Sequence, residues 1–251
     1  MPRTGISQEC ARSNIVIIFS GQAILLDVEG TTSSIDFVYD VLFAYAKKNI
    51  ATYLQSHAND QGVYDTARAL SLEAGIDADI RDAKDCSRVV LAAIDMINKD
   101  IKSTPLKALQ GRIWKSGFQS GQLVSHIFDD VPQSLAKWSS SGIDIRIYSS
   151  GSIEAQKLFF GHTTAGDLTH HLRGHYDTTT GPKSETKSYH RIARDIGLDP
   201  QQILFLSDIG AELDAARAAG MATGATIRPG NKPFESLYDH DRIESFSDVT
   251  L

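Results

Sequence analysis

The sequence predicts an α/β fold, a parallel sheet core interrupted by a long, mostly helical insertion. Three observations predict it. Short apolar runs recur at Ala23–Leu26, Ile143–Tyr148 and Ile203–Leu206, each closed by polar or acidic residues. Segments with helix start and stop signals alternate with them. Residues 27–142 separate the first run from the second, far more than one crossover helix requires. Apolar runs of this kind suit central strands covered on both faces, and strand–helix alternation marks a parallel α/β domain.

Along the chain, Ile15–Leu26 is apolar with Arg3 and Arg12 before it, which invites comparison with a leader peptide. Ser20-Gly21-Gln22 interrupts it, and cleavage would sever the acidic motif that follows. It is also too short to span a bilayer. The expectation is a ragged extension, then a buried strand, in a soluble intracellular protein. That strand ends at Asp27, and Gly30-Thr31-Thr32 forms a tight turn whose amides and hydroxyls can hold phosphate oxygens. Asp36–Gln55 reads as a long helix with an irregular stripe of Phe37, Val41, Phe43-Ala44 and Ile50. Ala67–Ala74 and Cys86–Lys102 read as helices too, and Gln110–Trp114 with the glycine-rich 117–121 leads back. The insertion therefore spans about 36–125, leaving 1–35 and 126–251 as the core.

Pro132–Ser140 reads as a short helix, and the Ile143 strand closes on Ser149-Ser150-Gly151. Ser152 caps a helix to Phe159, with Glu154 in its first turn. Ser184–Ile196 stops at Gly197 and Glu212–Ala219 stops at Gly220. Beyond Arg228-Pro229-Gly230-Asn231 the pattern weakens to a loop and a last short element.

Composition narrows the function. Of 251 residues, 41% are hydrophobic and 22% charged, which is globular. A net charge of -6 offers no general attraction for nucleic acid or anionic membrane. Positive charge for a phosphate ligand must then be local. Cys10 and Cys86 lack metal-ligand spacing and read as free thiols in a reducing compartment. His170, His171 and His175 read as surface residues of a polar loop.

Ligands in open α/β sheets bind beyond the carboxyl ends of strands, so three polar strand ends point to one site. An aspartate at such an end can attack phosphorus and form an aspartyl-phosphate, which divides a slow hydrolysis into two steps. Asp208, in Ser207-Asp208-Ile209-Gly210-Ala211-Glu212, stands at a second strand end. Two like charges about 4 Å apart repel by roughly 4 kcal/mol at an effective dielectric of 20. One Mg²⁺ per chain, with oxygen ligands, would offset this. Ser149 can donate to a phosphate oxygen. Lys183 precedes a helix start, which favours anions, and its ammonium can link Asp27 to a phosphoryl group. Lys187 is the rival one turn on.

Asp27-Val28-Glu29-Gly30-Thr31, Ser149-Ser150-Gly151, Lys183 and Ser207-Asp208, in that order, resemble the haloacid dehalogenase superfamily. That resemblance implies a Rossmann-like parallel sheet core of the haloacid dehalogenase type with a helical cap. Leu26–Thr32, Phe37–Phe43, Leu109–Trp114, Ile147–Ser152, Gln156–His162, Gly166–Leu168, Leu204–Asp208 and Arg228–Asn231 look like the enolase-phosphatase family of methionine salvage. The resemblance implies Mg²⁺ on the Asp27 and Asp208 carboxylates and the Glu29 carbonyl, and phosphate contacts from Ser149, Ser150 and Lys183. It also implies 5-(methylthio)-2,3-dioxopentyl phosphate as substrate, enolised and then dephosphorylated to the acireductone. Where most of the superfamily carries Asp, this chain carries Glu29, whose longer arm could move protons at carbon. Tyr39 and Ala44 stand where the family often has lysine and proline. The protein is expected to be a cytoplasmic monomer, with nuclear presence open for a eukaryotic source. Another capped phosphatase, a metal-free dehalogenase and a non-catalytic binding protein are the competing readings.

Overall fold

The computed structural model describes residues 16–99 and 101–251; Cys10 and the expected extension up to Ile15 lie outside them. The chain begins with β1 (Ile17–Ile18) and β2 (Ala23–Leu26), then enters the inserted helices. These are a π-helical stretch Phe37–Phe43 continuous with α1 (Ala44–Ser56), then α2 (Gln61–Glu73), α3 (Ala83–Asn98) and α4 (Thr104–Gln119). The return brings α5 (Asp130–Ser140), β3 (Asp144–Tyr148), α6 (Ile153–Gly161), β4 (Gly174–Tyr176) and α7 (Thr186–Ile196). Next come β5 (Ile203–Ser207), α8 (Gly210–Ala218), β6 (Ala222–Thr226), β7 (Asp241–Ile243) and β8 (Val249–Thr250). No helix among the described residues is long and apolar enough to cross a membrane.

Six strands form one parallel sheet in the order β4-β3-β2-β5-β6-β7, and β1 pairs with β8 in a separate two-stranded ribbon. The apolar run of β2 is fully buried because it is covered on both faces. Ile24 and Leu26 join Leu135 and Trp138 of α5 and Phe160 of α6 in one cluster. Ala23 and Leu25 join Tyr189 and Ile192 of α7 and Leu213 and Ala216 of α8 in another. The strand order runs outward in both directions from β2, so the sheet has its topological switch beside that strand. A crevice at the carboxyl ends is expected there.

The inserted helices bury their own cluster, including Ile50, Leu54, Leu70, Val89, Leu109 and Ile113. Its entry and exit segments touch, for Phe128 N–H donates to Thr32 O (3.1 Å) and Ser34 N–H to His126 Nδ1 (3.1 Å).

Three sequence expectations change. The helix expected from Asp36 is continuous, but residues 37–43 are π-helical. Trp114 Nε1 donates to the Leu42 carbonyl (2.8 Å) in that stretch. Segment 104–119 is a full helix, not a glycine-interrupted return. Ser103 caps it by accepting from Leu106 N–H (3.2 Å), and Pro105 sits in its first turn. Gly117 is there for close packing, since a Cβ would come within 2.7 Å of the Tyr45 ring. Third, His175 lies on β4, half-buried, with Nδ1 donating to Gln156 Oε1 (3.1 Å), rather than in a polar loop.

Candidate active site

Register decides what meets at the carboxyl edge. Leu26 lies opposite Ile147 on one side and Leu206 on the other. The next residue, Asp27, is therefore level with Tyr148 and Ser207, and Ser149 and Asp208 stand one step beyond.

Asp27 is 2% exposed. Its Oδ1 accepts from Lys183 Nζ at 2.6 Å, and the same ammonium reaches Glu212 Oε2 at 2.6 Å. Lys187, the alternative cation, is exposed. The Lys183 loop is held from below: Tyr148 OH donates to Gly181 O (2.9 Å) and Tyr189 OH to Lys183 O (2.7 Å). Ser207 Oγ lies 3.0 Å from Glu212 Oε2 and 3.4 Å from Asp27 Oδ2, so its single proton favours Glu212.

Glu29 faces a cavity, and its Oε2 accepts from Ser149 Oγ (3.3 Å). Ser149 is buried and also receives Gly151 N–H (3.1 Å), while Ser150 is exposed on the cavity wall. The structure thus brings Asp27 and Lys183 into one contact, and Glu29 and Ser149 into a second. Asp208 lies against Gly30.

Charge in this small volume is unbalanced. Burial raises the Asp208 carboxyl to about 7, with Asp27 and Glu212 adding to it. Burial likewise raises Glu212 to about 7, although Lys183 pulls it down. Glu29 is raised by burial and by Asp27. Burial would lower Lys183, but Asp27 and Glu212 outweigh it and hold the ammonium above the usual lysine range. Four carboxyl groups therefore face one ammonium.

Among the described residues no three His, Cys, Asp or Glu side chains cluster as a metal cage. A donor set with a carboxylate pair and backbone oxygens fits Mg²⁺ instead, which keeps several waters and takes one or two carboxylates. A second observation agrees: Asn231 Oδ1 is buried with no hydrogen-bond donor, in the same corner as Asp208. Gly30 has φ +70° there, and a Cβ on it would fall 2.3 Å from Asp208 Oδ2 and 2.9 Å from Asn231 Oδ1.

The threonine hydroxyls expected to bind phosphate are spent elsewhere. Thr31 Oγ1 pairs with Thr226 Oγ1 (3.0 Å), and Thr32 Oγ1 donates to Val28 O (3.2 Å), both fully buried. The amides of residues 30–33 bond to Val28 O and Ser33 O within the turn. That turn is a rigid mount for Asp27 and Glu29, not a phosphate cradle.

Glu212 has no role in the sequence reading; its place in the first turn of α8, four residues after the strand-end Asp208, was the available signal. Gln156 was also missed. Its Nε2 donates to Gly151 O and Tyr176 O (2.8 Å each), fixing the Ser149–Gly151 turn.

Above Glu29 and Ser149 lies a cavity of about 420 Å³ between core and insertion. Its walls are mostly apolar: Val38, Leu42 and Phe43 of the π-helical stretch, Met96 and Ile97 of α3, Trp114 of α4 and Phe159 of α6. Phe43 stacks on Trp114 (6.2 Å, 20°). Tyr39 is 54% exposed. A few polar groups beneath an apolar chamber suit a small anionic ester with an apolar tail.

The chain is similar to known proteins. A family model described as haloacid dehalogenase-like hydrolase matches residues 22–220. The chain is 47% identical to the enolase-phosphatase E1 of Pseudomonas aeruginosa strain LESB58 over 92% of this chain and 98% of that protein. It is 45% identical to the enolase-phosphatase E1 of Sorangium cellulosum over 91% and 97%. Among solved structures, the UTR4 protein of Saccharomyces cerevisiae matches with a TM-score of 0.76 and 33% identity, covering 91% of this chain and 99% of that one.

Proposed function

Because this chain belongs to the haloacid dehalogenase-like hydrolases and, within them, to the enolase-phosphatase E1 family, we propose that it turns 5-(methylthio)-2,3-dioxopentyl phosphate into an acireductone and phosphate. The acireductone is 1,2-dihydroxy-5-(methylthio)pent-1-en-3-one, and the step belongs to methionine salvage. The observation that carries this reading is the buried Asp27–Lys183 contact beneath a largely apolar cavity that also holds Glu29. The 36–125 insertion serves as the cap over that cavity, supplying the apolar wall for the methylthio tail.

Glu29 and Asp27 divide the chemistry. Glu29, steadied by Ser149, takes the proton from the carbon that bears the phosphate, and the neighbouring ketone oxygen gains a proton from water to give the enol. A carboxylate oxygen of Asp27 then attacks phosphorus, and the ester oxygen on that carbon departs with the electrons of the broken P–O bond, taking the proton held by Glu29. Water hydrolyses the aspartyl-phosphate, returning Asp27 and releasing phosphate. Lys183 stays charged throughout and, with Ser149 and Ser150, holds phosphate oxygens; its contact also orients Asp27. Glu212 fixes the ammonium from its far side. Asp27, Asp208 and the Glu29 carbonyl would hold one Mg²⁺, which supplies charge neutralisation for the phosphoryl group. Cytoplasmic residence and action as a monomer complete the proposal.

The test follows ultraviolet absorbance and inorganic phosphate together. An enol signal should precede phosphate release, and in Asp27→Asn the enol should build up while phosphate does not. Phosphate release that survives Asp27→Asn, or that shows no preceding enol, would refute the reading.

A further inference from the structure

We propose that Asn231 is a positioning residue for the cation: its Oδ1 accepts a hydrogen bond from a water on the metal, while its Nδ2 fixes the turn after Glu29. The inference rests on the Mg²⁺ reading above and adds a side chain to it.

The amide's orientation is determined by its partners. Nδ2 lies 2.9 Å from Gly30 O and 3.2 Å from Thr226 O. Both are backbone carbonyl oxygens, which only accept, so the nitrogen must face them and the oxygen must face away. Away is the corner occupied by Asp208. One point, the place of a Gly30 Cβ, lies 2.3 Å from Asp208 Oδ2 and 2.9 Å from Asn231 Oδ1. Oδ1 is buried and has no donor in the protein. A buried acceptor left unpaired costs about 1–3 kcal/mol, so such atoms in native folds usually serve water or an ion. Asp208 cannot satisfy it while ionised, because a carboxylate also only accepts. A cation's water, with two polarised protons, can donate to both oxygens.

The side chain is also held in place. Asn231 N–H closes a turn on Arg228 O (3.2 Å), and the buried Arg228 guanidinium binds Asp130 twice (3.0 and 2.9 Å), Thr31 O (3.2 Å) and Glu244 O (2.9 Å). The turn is therefore tied both to the catalytic loop at Thr31 and to α5. Partners of this outer kind orient metal ligands and are worth about ten- to a hundredfold in metal affinity.

The experiment measures Mg²⁺ binding to the full chain by calorimetry, without substrate, for the wild type, Asn231→Leu and Asn231→Asp. Thermal unfolding in chelator checks that each variant is folded. Asn231→Leu should bind Mg²⁺ about ten- to a hundredfold more weakly. Asn231→Asp keeps the acceptor oxygen while losing the amide donors, and should bind at least as tightly as the wild type. The Mg²⁺ concentration for half-maximal activity should follow the same order, with the substrate KM at saturating Mg²⁺ unmoved. Equal affinity in wild type and Asn231→Leu overturns the inference. So does equal weakening in both variants, which would reduce Asn231 to a clamp on Gly30. A wild type that binds no Mg²⁺ overturns the cation reading itself and this inference with it. Should Asn231→Leu not fold, Asn231→Ser, too short to reach the corner, replaces it with the same expectation.

Discussion

Replacing Lys183 by methionine removes the one ammonium in a buried acidic site and leaves its shape nearly unchanged. The Lys183 side chain is 9% exposed and lies 2.6 Å from both Asp27 Oδ1 and Glu212 Oε2. Truncating one partner of a buried pair strands the other, at about 3–5 kcal/mol, because the uncompensated charge stays out of water. For a chain of this size that is a fall in Tm of roughly 6–20 °C. The deficit should depend on pH with a definite sign. Asp208 and Glu212 are both raised to about 7. A carboxyl whose folded pKa is raised adds nothing unfavourable below its unfolded value and becomes progressively costly as pH climbs through the folded one. Lys183, held above its usual value, stays charged across the range and opposes that cost in the wild type. Its loss should therefore hurt most on the alkaline side. Urea unfolding in chelator, followed by circular dichroism at about pH 5.5 and about pH 8.5, reads the difference. A deficit under about 1 kcal/mol, the range of surface ion pairs, would refute the reasoning. An equal deficit at both pH values would refute it too.

Gly30→Ala places a side chain at φ +70°, at a cost of about 1–2 kcal/mol, and drives its Cβ against Asp208 Oδ2. Mg²⁺ affinity should fall along with stability, and calorimetric titration returning wild-type affinity would show that the corner is unconnected with the cation. His175→Gln concerns acid stability. Burial lowers His175 to about 4, so neutral His175 stabilises the fold above the unfolded value of 6.5, and that contribution is lost as pH falls toward 4. The variant should flatten this limb of a plot of urea midpoint against pH; an unchanged limb would mean that other groups control it.

The candidate edge was legible because strand ends have a simple grammar: an apolar run, then a carboxylate or hydroxyl where the backbone leaves the sheet. Asp27, Ser149 and Asp208 could be read that way, since parallel register makes strand ends coincide. What was lost is instructive. α4 was obscured by Gly111 and Gly117, although Ser103 and Pro105 announce its start; the glycine at 117 answers a tertiary demand from Tyr45 that no local propensity encodes. β6, Ala222–Thr226, is built of small residues and lacks the bulky apolar signature of its neighbours. Thr31 and Thr32 looked like ligands for phosphate because hydroxyls beside a strand-end aspartate invite that reading. Their partners, Thr226 and the Val28 carbonyl, close the turn on itself. Asn231 stood in the sequence as part of a resemblance, and only the folded chain shows which atom is left over.

The touching entry and exit of the insertion also bear on the order of assembly. β2 must find β3 across the whole of 27–143, a long closure for a sheet's central pair. The inserted helices contact one another locally and bury their own cluster, which favours early formation. Once they do, the bond from Phe128 to Thr32 brings the two tethers together, and the remaining loop shrinks several-fold, saving about 1 kcal/mol of closure entropy. The inserted helices, proposed above as a cap, would thus first serve as a splint, delivering β2 to its neighbour.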